Sequence, residues 1–210
     1  MNSEVRIGRR RVIQALGLAG IAAAVTGVRA RANEAPQCET DGTPMQFIPK
    51  TPKDAKPLED ELRKYPKCPY CGMDRRQWHR TRHLIHYSDD LSDGTCSLHC
   101  AALSLALNID RVPRAIYAAD YGDSKKPCAL VNAEQASYLV GSKLKGTMTR
   151  TSKLCFGSKS EAEKAQKEFG GEVQNFDHAL RAAYVSMAED TRMIRKRRDE
   201  RRRKMEGNKA

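Results

Sequence analysis

His83-Leu84-Ile85-His86-Tyr87, then Ser92-Asp93-Gly94, then Thr95-Cys96 leading into the run from Ser97 to Leu107, is the stretch that decides the fold. The first five residues read as a strand, Ser-Asp-Gly as a turn, and Leu98, Leu103, Leu105 and Leu107 suit a helix packed on a sheet. Ala115-Ile116-Tyr117-Ala118-Ala119 returns as a strand, which completes a hairpin, helix, strand unit. The order then recurs. Ala129-Leu130-Val131, Ala136 to Val140 and Lys153 to Phe156 read as strands, and Ser158-Lys159-Ser160-Glu161 as a capping box that opens a helix. Gly170-Gly171 stops that helix, Glu172 to Phe176 forms a strand, and a last helix starts from about Asp177. Two such units predict an α+β domain with a pseudo-repeat and a C-terminal helix.

Around this domain, residues 68–188, the 210-residue chain changes character three times. Residues 1–32 place Arg9-Arg10-Arg11 before the apolar run Val12 to Val28, with small residues at Val28, Ala30 and Ala32. A charged region, an apolar region and a small-x-small site in that order form an export signal, and the arginine pair followed by Val12-Ile13 resembles the twin-arginine (Tat) type. A periplasmic mature chain is expected. The alternative is an uncleaved membrane anchor, although the run is at the short end of the about 20 residues that span a bilayer. Residues 33–67 carry Pro36, Pro44, Pro49, Pro52, Pro57 and Pro66 without an apolar period and read as an arm, to which Met45 belongs. Residues 189–210 form a basic tail, either a solvated helical extension or an unstructured one.

The net charge of +12 is confined to the ends. The first 32 residues hold six Arg and one Glu, the last 20 hold ten Lys or Arg and three acids, and the body between them is neutral. A nucleic-acid partner is therefore not expected, because it would need a domain-wide basic face. The tail could attract an anionic membrane surface or an acidic partner.

Chemistry begins at Cys68-Pro69-Tyr70-Cys71-Gly72-Met73, where two thiols flank a tight turn and a thioether follows. Thioethers bind Zn²⁺ weakly and Cu(I) well, so the Met tilts the site toward Cu(I). A second sulfur group follows at Cys96-Ser97-Leu98-His99-Cys100. Other readings of these residues stand beside copper. Cys68, Cys71, Cys96 and Cys100 have the ligand count of a structural zinc knuckle. Exported cysteines are usually disulfides, but seven is an odd number. Cys68-Pro69-Tyr70-Cys71 is also a glutaredoxin-like string, although no strand precedes it and no amphipathic helix follows. His79, His83 and His86 would disperse if the segment is a strand, whereas His99 sits between two cysteines. Cys128 and Cys155 read as buried small residues or as a disulfide with each other. No nucleophile elbow, phosphate-cradling loop or acid-base carboxylate pair is present, so no enzyme is expected.

The elements Cys71-Gly72-Met73, Ala136 to Ser142, Gly146-Thr147-Met148, Phe156, Ala162 to Phe169, Gly170-Gly171 and Phe176 occur in the order in which they stand in the NosL family, the nitrous-oxide-reductase accessory proteins. Residues 68–177 resemble that family. The resemblance implies an exported Cu(I)-binding accessory protein, a metallochaperone that delivers copper to a periplasmic copper enzyme such as nitrous oxide reductase or to its maturation machinery. It implies an α+β fold with two related halves, distantly similar to part of organomercurial lyase. It also implies Cys71 and Met73 as ligands and Met148 as a further sulfur, while Cys68 is the partner suggested by its own spacing. The chain departs from typical members, which are lipoproteins: Glu34 to Gln37 before Cys38 form no lipobox, and the cysteine count, arm and tail are additions. The function expected is Cu(I) transfer by ligand exchange. The alternatives are a structural zinc or disulfide-stabilised interaction module and a thiol redox protein.

Overall fold

The computed structural model describes residues 47–207. The segment read as an export signal, Cys38 and Met45 lie outside them. The deciding stretch folds as a hairpin of β1 (His83–Tyr87) and β2 (Ser92–Thr95), followed by α2 (Leu98–Leu107) and β3 (Pro113–Ala119). A short helix, α1 (Glu61–Lys64), precedes them, and β4 (Leu130–Asn132) follows. The second half comprises β5 (Ser137–Val140), β6 (Lys153–Phe156), α3 (Lys159–Phe169), β7 (Glu172–Gln174) and α4 (Phe176–Gly207).

The α+β expectation holds, and the pseudo-repeat is visible in the strand orders. One sheet runs β2-β1-β3-β4 and the other β6-β5-β7. In each half the first strand of the unit is central, antiparallel both to its hairpin partner and to the strand that follows the helix. Ile85 and Tyr87 of the first sheet and Tyr138 and Cys155 of the second share one core with Leu98, Ala101 and Ala102 of α2 and Phe176, Ala179 and Ala183 of α4. α2 is thus covered on two sides, which suits its nearly uniform Leu and Ala composition.

Several local expectations are corrected. Ser92-Asp93-Gly94 is strand rather than turn. The chain reverses earlier, where Tyr87 N–H donates to the Leu91 carbonyl and Asp90 takes a φ of 64°. Glycine is required at Gly94 by crowding, since a Cβ there would lie 2.6 Å from Tyr65 Cβ and 2.7 Å from Arg75 Nη1. The capping box is not made. Ser158 caps α3 in an extended conformation with no side-chain hydrogen bond to the helix amides, and its hydroxyl pairs instead with that of Ser160. Glu172 to Gln174 alone are strand, and the last helix begins at Phe176 and continues through the basic tail to Gly207.

Residues read as arm also contribute buried groups. Glu61, Leu62 and Tyr65 are buried. Glu61 pairs with Arg75 at 2.8 Å and with Arg82 at 2.8 Å, and all three side chains are at least nine-tenths buried. Arg75 also donates to the Tyr65 carbonyl, and Arg82 to the Cys128 carbonyl.

Candidate metal centre

The loop from Cys68 to Met73 folds back on itself. Cys68 N–H donates to the Met73 carbonyl at 2.9 Å, Gly72 N–H donates to the Cys68 carbonyl at 2.8 Å, and Lys67 and Asp74 form an antiparallel bridge at its base. Gly72 has a φ of 76°, a left-handed conformation that costs a Cβ-bearing residue about 1–2 kcal/mol. This reversal aims Cys68 and Cys71 at the end of β2, where Cys96 leaves the strand and Cys100 occupies the first turn of α2. The four Sγ atoms all lie within 4.8 Å of one another. Cys71 and Cys96 are 3.4 Å apart, and Cys96 and Cys100 3.8 Å. Met73 and Met148 pack against them.

The surroundings hold this arrangement from three sides. Tyr70, inside the loop, donates its hydroxyl to buried Asp93, which also accepts from Ser104 of α2 at 2.7 Å. Arg75 Nε donates to the Thr95 carbonyl, next to Cys96. Thr81 Oγ1 lies 2.9 Å from both the Cys96 carbonyl and Thr147 Oγ1, which ties the Met148 loop to the same corner. Met148 itself takes a φ of 61°, and its loop is fastened further by Arg150 N–H donating to Asp190 of α4 at 2.9 Å. From the same helix Arg198 donates to the Cys71 carbonyl at 3.0 Å.

The thiols are unequal. The neighbouring thiols, Cys100 first and then Cys71 and Cys96, hold Cys68 far below the usual thiol range despite its burial. Cys71 is lowered as well, chiefly by the neighbouring Cys100 thiol. Cys100 is pushed well up by the neighbouring Cys68, Cys71 and Cys96 thiols and by burial. At Cys96 the contact with Cys100 lowers the pKa, but Cys68, Cys71 and burial outweigh it and this thiol also rises. Cys68 is thus the thiol of the cluster that gives up its proton most readily. Cys68, Cys96 and Cys100 are buried, while Cys71 and the two methionines are only partly so.

This places each residue named from the sequence. Cys68, Cys71, Met73 and Met148 come together, and the structure adds Cys96 and Cys100, whose spacing pointed to a metal only through the zinc reading. The histidines disperse. His83 lies against Tyr138, His86 against Asp90, His79 against Cys128, and His99 stands 3.7 Å from Asp190. Cys128 and Cys155 are buried and, like the other described cysteines, are free thiols, so the disulfide between them is not formed. The donor set is a chemical fit for a soft cation: thiolate and thioether sulfur with no hard oxygen ligand among the described residues of the cluster.

The chain is similar over 60% of its length, with 23% identity, to the copper chaperone NosL from Shewanella denitrificans, 95% of whose solved chain is covered at a TM-score of 0.44. No curated protein matches it significantly. Residues 59–184 match the NosL family model, and the chain is a member of the NosL family.

Proposed function

We propose that this protein is an exported Cu(I)-binding metallochaperone, and that it delivers copper to a periplasmic copper enzyme such as nitrous oxide reductase, or to the machinery that assembles one. The observation that carries the reading is the six-sulfur set, four thiols within 4.8 Å of one another and two thioethers packed on them. Cys68 and Cys71, with Cys96 and Cys100, supply the charge that Cu(I) needs, and Met73 and Met148 supply donors that let go easily. Cu(I) is the cargo. It is satisfied by two or three sulfurs, so an incoming donor can bind before the last thiolate leaves, and no electron moves. The thiols that carry protons release them on uptake and regain them on delivery.

Membership of the NosL family supports the copper reading, and the Arg9-Arg10 segment ahead of Val12 to Val28 supports export to the periplasm by a Tat-type signal. An uncleaved anchor stays the alternative for localisation. No helix among the described residues is long and apolar enough to cross a membrane. A second reading has its own observation: four clustered cysteines also suit a tetrahedral structural zinc site. It leaves Met73 and Met148 without a role.

Anaerobic titration of the reduced protein with Cu(I) against a chromophoric competitor separates the two. Copper transfer requires tight uptake that Cys71→Ser and Met73→Ala weaken while the fold survives without metal. If chelation unfolds the protein, or both substitutions leave Cu(I) uptake unchanged, the zinc reading replaces it.

A further inference from the structure

From Met193 to Arg201 the last helix runs past the sulfur cluster, and between them lies a groove of about 870 Å³. One wall is formed by Cys71, Met73 and Met148, the partly exposed half of the donor set. Arg197, Arg198 and Arg201 stand on the other, with Lys67 and Lys145 on the loops between. These five cations share the groove with one carboxylate, Asp74. Among the described residues none of the five is in a salt bridge, whereas Arg202 and Arg203, which do not line the groove, both pair with Asp199. The helix is held there by Arg198 on the Cys71 carbonyl and by buried Met193.

Unneutralised positive charge around recessed sulfur is complementary to an acidic chain segment that carries a soft donor of its own. We propose that this groove is where the client docks, by an acidic segment bearing a methionine or cysteine whose carboxylates meet Arg197 and Arg201. Its sulfur then reaches the metal beside Met73 and Met148. The inference rests on the copper reading and names its partner chemistry. Transfer is a ligand exchange: the client's sulfur bonds to Cu(I) as a thioether leaves, further client donors then replace the thiolates one by one, the oxidation state stays the same, and the vacated thiolates take up protons given up by client thiols or by water. Clustered charge of this kind steers encounter and is weakened by salt. A flat lipid surface could touch the exposed arginines but could not enter a concave groove to reach the sulfurs.

Trp78, the single tryptophan of the chain, lines the groove and reports on it. The full reduced, metal-free protein is titrated with a short synthetic Glu/Gly peptide carrying a central Met, with its Gln/Gly counterpart, and with phosphatidylglycerol vesicles. The acidic peptide is expected to shift Trp78 emission saturably, and added salt to weaken it. Arg197→Glu with Arg201→Glu should weaken binding about tenfold or more. Arg192→Glu with Arg195→Glu, which changes the charge equally on a different face of the helix, should leave it unchanged. No saturable shift, equal weakening in both double variants, or a Trp78 response to vesicles alone overturns the proposal. Cu(I) titration of the same variants, whose sulfur set is intact, tests the copper reading separately.

Discussion

The carboxylate of Asp190, in α4, accepts the backbone N–H of Arg150 at 2.9 Å and so fastens the loop that presents Met148. Asp190 is almost fully buried and also accepts from Ser186, while Lys153 bonds Ser186, Thr149 and the Thr151 carbonyl. Met148 in its left-handed conformation depends on this anchoring, because such a backbone costs a non-glycine residue about 1–3 kcal/mol. Asp190→Ala should lower stability by roughly 2 kcal/mol and raise hydrogen exchange at the Arg150 amide. Unchanged exchange at Arg150 would show that the loop holds its shape without the helix.

Loss of a buried thiol should act on the metal rather than on the loops. Cys96→Ser or Cys100→Ser should reduce Cu(I) affinity by more than the roughly 10- to 100-fold that follows from losing an outer partner of a ligand. A competition titration measures this, and circular dichroism of the metal-free variants checks that they fold. If affinity stays within about twofold of the parent, the metal is held by the Cys68 to Met73 loop and Met148 alone.

Glu61 stands between two buried guanidinium groups, at 2.8 Å from Arg75 and 2.8 Å from Arg82. Removing the acid leaves both cations uncompensated in the interior, which typically costs about 3–5 kcal/mol. Glu61→Ala should therefore shift the urea midpoint strongly. A variant as stable as the parent would mean that the carbonyls of Tyr65, Thr95, His83 and Cys128, which Arg75 and Arg82 already engage, are sufficient.

His83 gives the fold a dependence on pH. Burial pushes its pKa down from 6.5 to about 4, against the opposing pull of the Thr81 carbonyl at 3.0 Å. The unfolded chain takes up a proton at this residue near its ordinary value, but the folded chain does so only at the lower one. Stability is full above about pH 6.5 and is lost as the pH falls toward about 4, by roughly 3 kcal/mol for this residue. Urea unfolding across that window, with His83→Gln alongside, should show a shallower slope in the variant. Parallel slopes would place the acid sensitivity elsewhere.

What could be read from the chain was what depends on near neighbours. The strand at His83 to Tyr87, the helix after Ser97, the stop at Gly170-Gly171 and the repeated order follow from side-chain period and turn residues, which act within one or two turns of chain. The grouping of Cys68, Cys71 and Met73 is legible for the same reason, because one tight loop carries all three. Ser92-Asp93-Gly94 misled because its glycine answers a distant crowding by Tyr65 and Arg75 rather than a turn. The capping box at Ser158 misled because a short polar pairing with Ser160 competes with the helix amides.

By itself the sequence determined the two-unit α+β fold and a soft-metal chemistry, since strand, helix and ligand type are properties of the residues present. Only the tertiary structure decided that Cys96 and Cys100 complete the cluster, that the histidines stay out of it, and that the basic tail is a helix walling the site. Those outcomes rest on contacts such as Arg198 to the Cys71 carbonyl, 127 residues apart along the chain. No local period encodes such a contact, because it exists only once the sheets and helices have packed.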